Sequence, residues 1–234
     1  LSTANVLTAR GSEDTAHNYI QGRTDMIAYK SEAYITTDST IVRWSSIGNS
    51  NTFNTSFFSF NDAFAPHPAL VYQDSAYYGD GNLLKRQTSA GGAPTTTLTL
   101  TAGSVIVALA IDPGSGKMLI SVIGQYNISD TINSGATVQY YDGNSPQVSK
   151  IVPVEQMITS FPTSEGGLYA AYGSNLGLWN GNGVSFLRNF NAIGYDNDQL
   201  LYKQHFTNIG STLYFIVRSQ IYAHGPVHQS GRHV

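Results

Sequence analysis

GLYAAYGSNLGLWNGNGVSFLRNF, residues 167–190, alternates short apolar runs with turn residues. The runs LYAAY, LGLW and VSFL are separated by GSN and NGNG. Short runs rich in Tyr, Trp, Phe, Val and Leu and bounded by Gly and Asn are the signature of antiparallel strands joined by tight hairpins. No run keeps a 3.6-residue period, and Gly or Asn interrupts every few positions, so no helix is expected here.

The same pattern returns along the chain. It reads MIAYKSEAYITTDSTIVRWSS from Met26 to Ser46 and ALVYQDSAYYGDGNLLKRQTS from Ala69 to Ser89. It reads VIVALAIDPGSGKMLISVIG from Val105 to Gly124, then ATVQYYDGNSPQVSKIVPV from Ala136 to Val154. A last unit runs from Leu200 to Val227. Second strands are expected to start near Glu32, Ser75, Lys117, Gly167 and Ser211, at spacings of about 43, 42, 50 and 44 residues. The long third interval holds an insertion, Gln125 to Gly135, between a second and a third strand. A period of about 40 to 50 residues with four short strands per unit predicts the blades of a β-propeller. Runs such as VIVALAI and TLYFIV are continuous, not alternating, as expected for strands covered on both faces by neighbouring blades.

VIVALAIDPGSGKMLIS resembles the first hairpin of many propeller blades. The strand ends Trp44-Ser45, Tyr141-Asp142-Gly143, Trp179-Asn180-Gly181 and Tyr222 resemble the aromatic-Asp/Asn-Gly endings of divergent propeller repeats in bacterial surface proteins and bacteriophage virions. The resemblance covers about residues 25 to 227 and concerns the fold. The Gly-His and Trp-Asp pairs of WD40 repeats, the regular double glycine of kelch repeats and an intact sialidase Asp box are missing from it. It implies an all-β fold, a β-propeller of about five four-stranded blades over residues 25–66, 67–103, 104–156, 157–199 and 200–234. Residues 1–24 then hold a connection and a strand, NVLTAR (Asn5 to Arg10), that completes the last blade and closes the ring. The rival arrangement is a piece of a larger propeller, in keeping with a start at Leu1 and not at Met.

Composition narrows the setting. Charged residues are 12%, about half the globular average of roughly 25%. Gly, Tyr, Ser, Thr and Asn take their place, a balance common in extracellular and virion proteins. The net charge is −3 and no basic stripe occurs, so nucleic acid is not an expected partner. With no cysteine, disulfides and thiolate metal sites are excluded. No apolar run approaches the ~18 residues of a membrane-spanning helix.

Catalytic and ligand motifs are incomplete wherever their residue types occur. Asp112-Pro113-Gly114-Ser115-Gly116-Lys117 lacks the spacing and the following helix of a phosphate loop and reads as a hairpin turn. His224 and His228 are four apart in a Gly/Pro-containing tail that is no helix, and His205 lies in an apolar strand. Asp80, Asp196 and Asp198 sit in turns without calcium-loop spacing. No metal or cofactor is therefore expected, and no Gly-x-Ser-x-Gly elbow announces a hydrolase. The aromatics Trp44, Tyr78, Tyr141, Trp179 and Tyr222 are taken as one residue per blade at comparable positions, either sugar-stacking platforms or packing anchors, with repetition favouring packing. Asn127, Asp130 and Asn133, in the insertion, are the candidate interaction loop.

The reading is a non-enzymatic binding or structural module, a virion component such as a bacteriophage tail, neck or fibre protein. It would contact other subunits or a host-surface glycan, in a virion or extracellular location. The alternative is a secreted lectin or glycoside hydrolase of propeller type.

Overall fold

The computed structural model describes residues 25–46, 53–61, 66–124, 135–165, 167–173, 175–189, 206–209, 211–217 and 220–224. Among them no helix occurs, and the chain forms five antiparallel sheets in sequence order. The first holds β1 (Asp25–Tyr29), β2 (Glu32–Thr36), β3 (Thr40–Trp44) and β4 (Phe53–Ser59). The second holds β5 (Ala69–Tyr72), β6 (Ser75–Asp80), β7 (Leu83–Gln87) and β8 (Thr95–Thr99). The third holds β9 (Val105–Ile111), β10 (Met118–Ile123), β11 (Thr137–Tyr141) and β12 (Lys150–Pro153). The fourth runs β13 (Ile158–Ser160), β15 (Gly167–Tyr172), β16 (Asn175–Trp179) and β17 (Val184–Asn189), with β14 (Thr163–Ser164) pairing β15 beside that path. The fifth holds β18 (Phe206–Ile209), β19 (Thr212–Val217) and β20 (Gln220–His224). Every strand pair within the sheets is antiparallel, and each sheet is a simple meander. The sequence units thus form sheets of their own. The strand expected from Asn5 to Arg10 lies outside the described residues.

Turn chemistry sets the first hairpins. Lys30 and Ser31 have φ of 48° and 65°, and Gln73 and Asp74 have 46° and 56°. Two successive positive φ values make the turn whose twist matches a two-residue hairpin. The DPGSGK segment closes the third sheet's hairpin instead. Asp112 N donates to Lys117 O at 2.9 Å, and Gly116 N to Asp112 O at 2.8 Å.

The sheets pack face to face in series, with β1 against β5, β5 against β9, and β9 against β13. The fourth sheet meets the fifth through β14. One hydrophobic layer fills each junction. Ile27, Tyr29, Tyr34 and Ile41 meet Ala69, Ala76 and Tyr78 between sheets one and two. Tyr77, Leu84 and Leu98 meet Ile106, Met118 and Ile120 between two and three. Leu119, Val138 and Tyr140 meet Ile158, Leu168 and Trp179 between three and four. Tyr169, Ala171 and Leu176 meet Leu213 between four and five. Strand β9 serves two layers, Ile106 and Leu109 facing one and Ala108 and Ala110 the other. That double burial is why VIVALAI is apolar without alternation. At about 1.5–3 kcal/mol per large apolar side chain removed from water, these layers are the main source of stability.

In a meander the first and third turns lie at one end of the sheet, here called the turn end. The second turn and the link to the next sheet lie at the other. The link end is tied by buried polar groups. Thr36 Oγ1 donates to His67 O at 2.7 Å, and Ala69 N to Asp25 Oδ2 at 3.0 Å. His67 is fully buried, stacks on Phe60 at 3.7 Å, and sets its ring nitrogens 3.0 Å from Gly79 O and 3.2 Å from Asp38 O. Asp80, also buried, accepts from Asn61 N and Nδ2, both at 2.8 Å, and lies 3.6 Å from Lys85 Nζ.

Candidate functional site

Strand register makes the five sheets comparable residue by residue at the turn end. Ala33 pairs with Trp44 and Tyr34 with Arg43. In the second sheet Ala76 pairs with Gln87 and Tyr77 with Arg86. In the third, Met118 pairs with Tyr141 and Leu119 with Tyr140. Tyr169 pairs with Leu178 in the fourth. Tyr34, Tyr77, Leu119 and Tyr169 are therefore equivalent, and all four are fully buried.

This register sorts the five sequence-nominated aromatics. Trp44, Tyr141 and Trp179 close the third strands of their sheets. Tyr222 lies in the third strand of the fifth sheet, opposite Phe215. Tyr78 does not share their place. It is on the second strand, and Gln87 holds the equivalent position. Tyr78 and Tyr141 are fully buried and Trp179 is 5% exposed, so none of these three rings offers a face to a sugar. Trp179 packs edge-on against Phe161 at 6.0 Å and donates through Nε1 to Tyr140 Oη at 3.1 Å. Trp44 stacks on Phe53 at 4.9 Å. Asn127, Asp130 and Asn133 lie outside the described residues. Their loop leaves from the link end, between β10 and β11.

At the turn end each of the first three sheets reaches for the next. Tyr29 Oη donates to Asp74 O at 3.0 Å, Tyr72 Oη to Gly116 O at 3.1 Å, and Tyr140 Oη to Gly181 O at 3.0 Å. Gly91, in the third turn of sheet two, donates its N–H to Tyr34 Oη at 2.9 Å. Tyr34 in turn donates to Glu32. Arg43 grips Glu32 with two hydrogen bonds, Nη2 to Oε1 at 2.6 Å and Nε to Oε2 at 3.0 Å. The Arg43 hydrogen bonds, helped by Tyr34, hold the Glu32 carboxyl below its ordinary range. Burial, then the bond to Glu32, pushes the Tyr34 hydroxyl up. The first junction is filled by this network, with the Arg43 guanidinium 5.7 Å from the Phe57 ring. Arg86 does the same in the second junction, bonding Ser75 Oγ at 3.0 Å and covering the Tyr77 ring at 5.8 Å.

The third junction departs from this plan. Where sheets one and two carry Tyr29 and Tyr72, sheet three carries Asp112. Where they carry Glu32 and Ser75, it carries Lys117. Where they carry Arg43 and Arg86, it carries Tyr140. No arginine fills the space, and a cleft of about 490 Å³ opens, lined by Asp112, Ser115, Lys117, Tyr140, Ser149 and Lys150 with the turn Asn180–Asn182 of sheet four. That volume is within the range of small-molecule sites, about 300–1,000 Å³. Lys117 Nζ donates to Ser149 Oγ at 2.9 Å. Lys150 Nζ donates to Gly181 O at 2.8 Å and Asn182 Oδ1 at 2.7 Å, and lies 5.0 Å from the Tyr140 ring. Burial pushes the Tyr140 hydroxyl up, against the Trp179 hydrogen bond, so it stays a donor at neutral pH.

Asp112, which lines the cleft, and Asp142, in the third turn of the same sheet, are engaged within their own turns. Asp112 accepts from Gly114 N at 3.2 Å and Ser115 Oγ at 2.6 Å. Asp142 accepts from Asn144 N at 3.0 Å and Ser145 N at 3.1 Å. Those two amides, with a smaller pull from Lys117, hold the Asp142 carboxyl below its ordinary range. Asp112, the one carboxylate that lines the cleft, is thus tied within its own turn. Sequence reading stopped at the DPGSGK turn and did not find this cleft. The signal that could have found it is the aligned triplets Glu32-Ala33-Tyr34, Ser75-Ala76-Tyr77 and Lys117-Met118-Leu119, in which Lys117 breaks the pattern.

No family model and no curated protein matches the chain. Two solved structures of the extracellular domain of BT4673 from B. thetaiotaomicron share a partial likeness. One, described as a one component system, has a TM-score of 0.44 and 16% identity over 85% of this chain and 28% of its own. The other, described as a hybrid two component system, has a TM-score of 0.40 and 13% identity over 86% of this chain and 27% of its own. At these scores the likeness shows neither a shared family nor a shared function, and the chain spans under a third of those structures.

Proposed function

We propose that this protein is an extracellular, non-catalytic binding module of the β-propeller type, and that it takes a saccharide at the turn-end cleft between its third and fourth sheets. The observation that carries the reading is the contrast between equivalent junctions. Arg43 and Arg86 occupy the first two, whereas Tyr140 leaves the third open and lined with hydroxyl, amide and ammonium groups. Such groups complement the hydroxyls of a sugar, and the engaged carboxylates favour retention over hydrolysis. Meanders packed first strand to first strand, with one apolar layer per junction, support reading the sheets as blades of a ring or an arc. The low-charge, Gly- and Tyr-rich composition supports an extracellular setting. The virion setting, expected from composition, absent motifs and divergent repeats, gains no support from the structure.

A glycan array probed with labelled protein tests the reading, followed by mass spectrometry of the retained oligosaccharides. Retention by the wild-type chain is expected, with loss in a cleft-filling Ser149→Trp variant and recovery of the sugars intact. Shortened products, or retention unaffected by Ser149→Trp, would contradict it.

A further inference from the structure

We infer that the cleft selects an acidic saccharide unit, one bearing a carboxylate or a phosphate, and that Lys117 and Lys150 are the residues that select it. The inference rests on the binding reading above and adds the ligand's charge. Both ammonium groups line the cleft and bond only neutral acceptors: Ser149 Oγ for Lys117, Gly181 O and Asn182 Oδ1 for Lys150. Neither forms an ion pair among the described residues, whereas Lys30, Arg43 and Lys85 each have a carboxylate partner. An ammonium has three donors, so Lys117 keeps two and Lys150 one for a ligand. Lys150 is also held in place. Its two acceptors and the Tyr140 ring fix the amine at the mouth of the cleft, so little side-chain freedom is lost when a ligand binds.

The acidic groups do not cancel this arrangement. Asp112 engages one oxygen with Gly114 N and the other with Ser115 Oγ, and Asp142 takes the amides of Asn144 and Ser145 on Oδ1. The lining of the cleft sets two ammonium groups, Lys117 and Lys150, against one carboxylate, Asp112. An anion there gains charge-assisted hydrogen bonds, roughly twice as strong as neutral ones. Ser115, Ser149 and the Asn180–Asn182 turn surround that point with hydroxyl and amide groups suited to a sugar ring. The cleft is open, so affinity will fall as salt rises.

The test is NMR titration of the whole isotope-labelled chain with glucuronate, glucose 6-phosphate and methyl glucoside. Amides of residues 112, 114–117, 149–150 and 180–182 report the cleft. We expect one or both acids to shift these amides, with the neutral glycoside at least tenfold weaker. Lys117→Gln and Lys150→Gln should each weaken the acid at least tenfold while other amides stay in place, which shows that the fold is kept. A response to glucuronate alone identifies a carboxylate ligand, and to the phosphate alone a phosphate ligand. The inference is overturned if neither acid shifts these turns, if the glycoside binds as well as the acids, or if both lysine variants bind like wild type. Binding of the neutral glycoside in these turns as tightly as the acids would end the charge inference and leave the binding module standing.

Discussion

Arg43 and Tyr140 hold the same place in the first and third meanders, one filling its junction and the other leaving it open. The Arg43 network is also where single side chains matter most for stability. In Tyr34→Phe, Glu32 and Gly91 N each lose a partner in a buried setting, which costs about 1–3 kcal/mol. Tyr77 is its equivalent in the second sheet, but its buried hydroxyl has no hydrogen-bond partner among the described residues. Tyr77→Phe should therefore stay within about 0.5 kcal/mol of wild type. Urea unfolding of the two variants, read against wild type, checks the difference. Gly91 has φ +65°, and a Cβ there would meet the Arg43 guanidinium at 2.8 Å. Gly91→Ala should cost about 2–3 kcal/mol, against about 1 for Gly103→Ala, where φ is also positive but the space is open. Glu32 adds a pH dependence. Its carboxyl titrates below its ordinary 4.5 when folded, chiefly through Arg43. The unfolded chain thus binds the proton first, so the stabilisation is complete above that value and is lost as pH falls through the folded one. Denaturation midpoints from pH 7 to 3 should show an acid-side decline that is shallower in Glu32→Gln.

At the scale of strands and turns, the sequence was readable where turn residues bound the apolar runs. The strand starts at Glu32 and Ser75, the DPGSGK turn and the repeat of short strands follow from local chemistry, whereas the positive φ values at Lys30-Ser31 and Gln73-Asp74 fall mostly on residues that rarely adopt them. Equivalence between strands was less legible. Tyr77 and Tyr78 are adjacent in SAYYGD, and alternation sends them to opposite faces. Tyr77 enters the layer with sheet three and Tyr78 the layer with sheet one. Only the pairing register shows that Gln87, and not Tyr78, matches Trp44 and Tyr141. The insertion after Gly124 leaves from the end opposite the cleft, and its ends are close. A Cβ on Gly135 would lie 3.8 Å from Gly124 Cα. Replacing residues 125–134 by a short Asn-Gly turn should leave ligand affinity at the cleft within about twofold, because the link end does not touch it. Loss of the binding measured by titration would relocate the site to the insertion. The outermost strands carry their own protection. In β12, Lys150 and Pro153 blunt an edge, and β8 is TTTLT.

Over the whole molecule, the apolar layers were implied by continuous runs such as VIVALAI, since a strand buried on both faces needs two neighbours. The cleft was not implied, because its wall is assembled from turns of two sheets, 112–117 and 149–150 of one and 180–182 of the other. No local pattern in the sequence joins those turns. It takes the junction-by-junction comparison to see that one place is open where two are filled. The chain has no cysteine, so that contrast can be measured without background. Single cysteines placed by Ser75→Cys and Lys117→Cys occupy equivalent positions beside the third strand in the second and third sheets. The account predicts alkylation by a small maleimide at least tenfold faster at position 117 than at position 75, where Ser75 is 2% exposed under Arg86. Equal rates at the two positions would contradict it, for the third junction would then be as closed as the second.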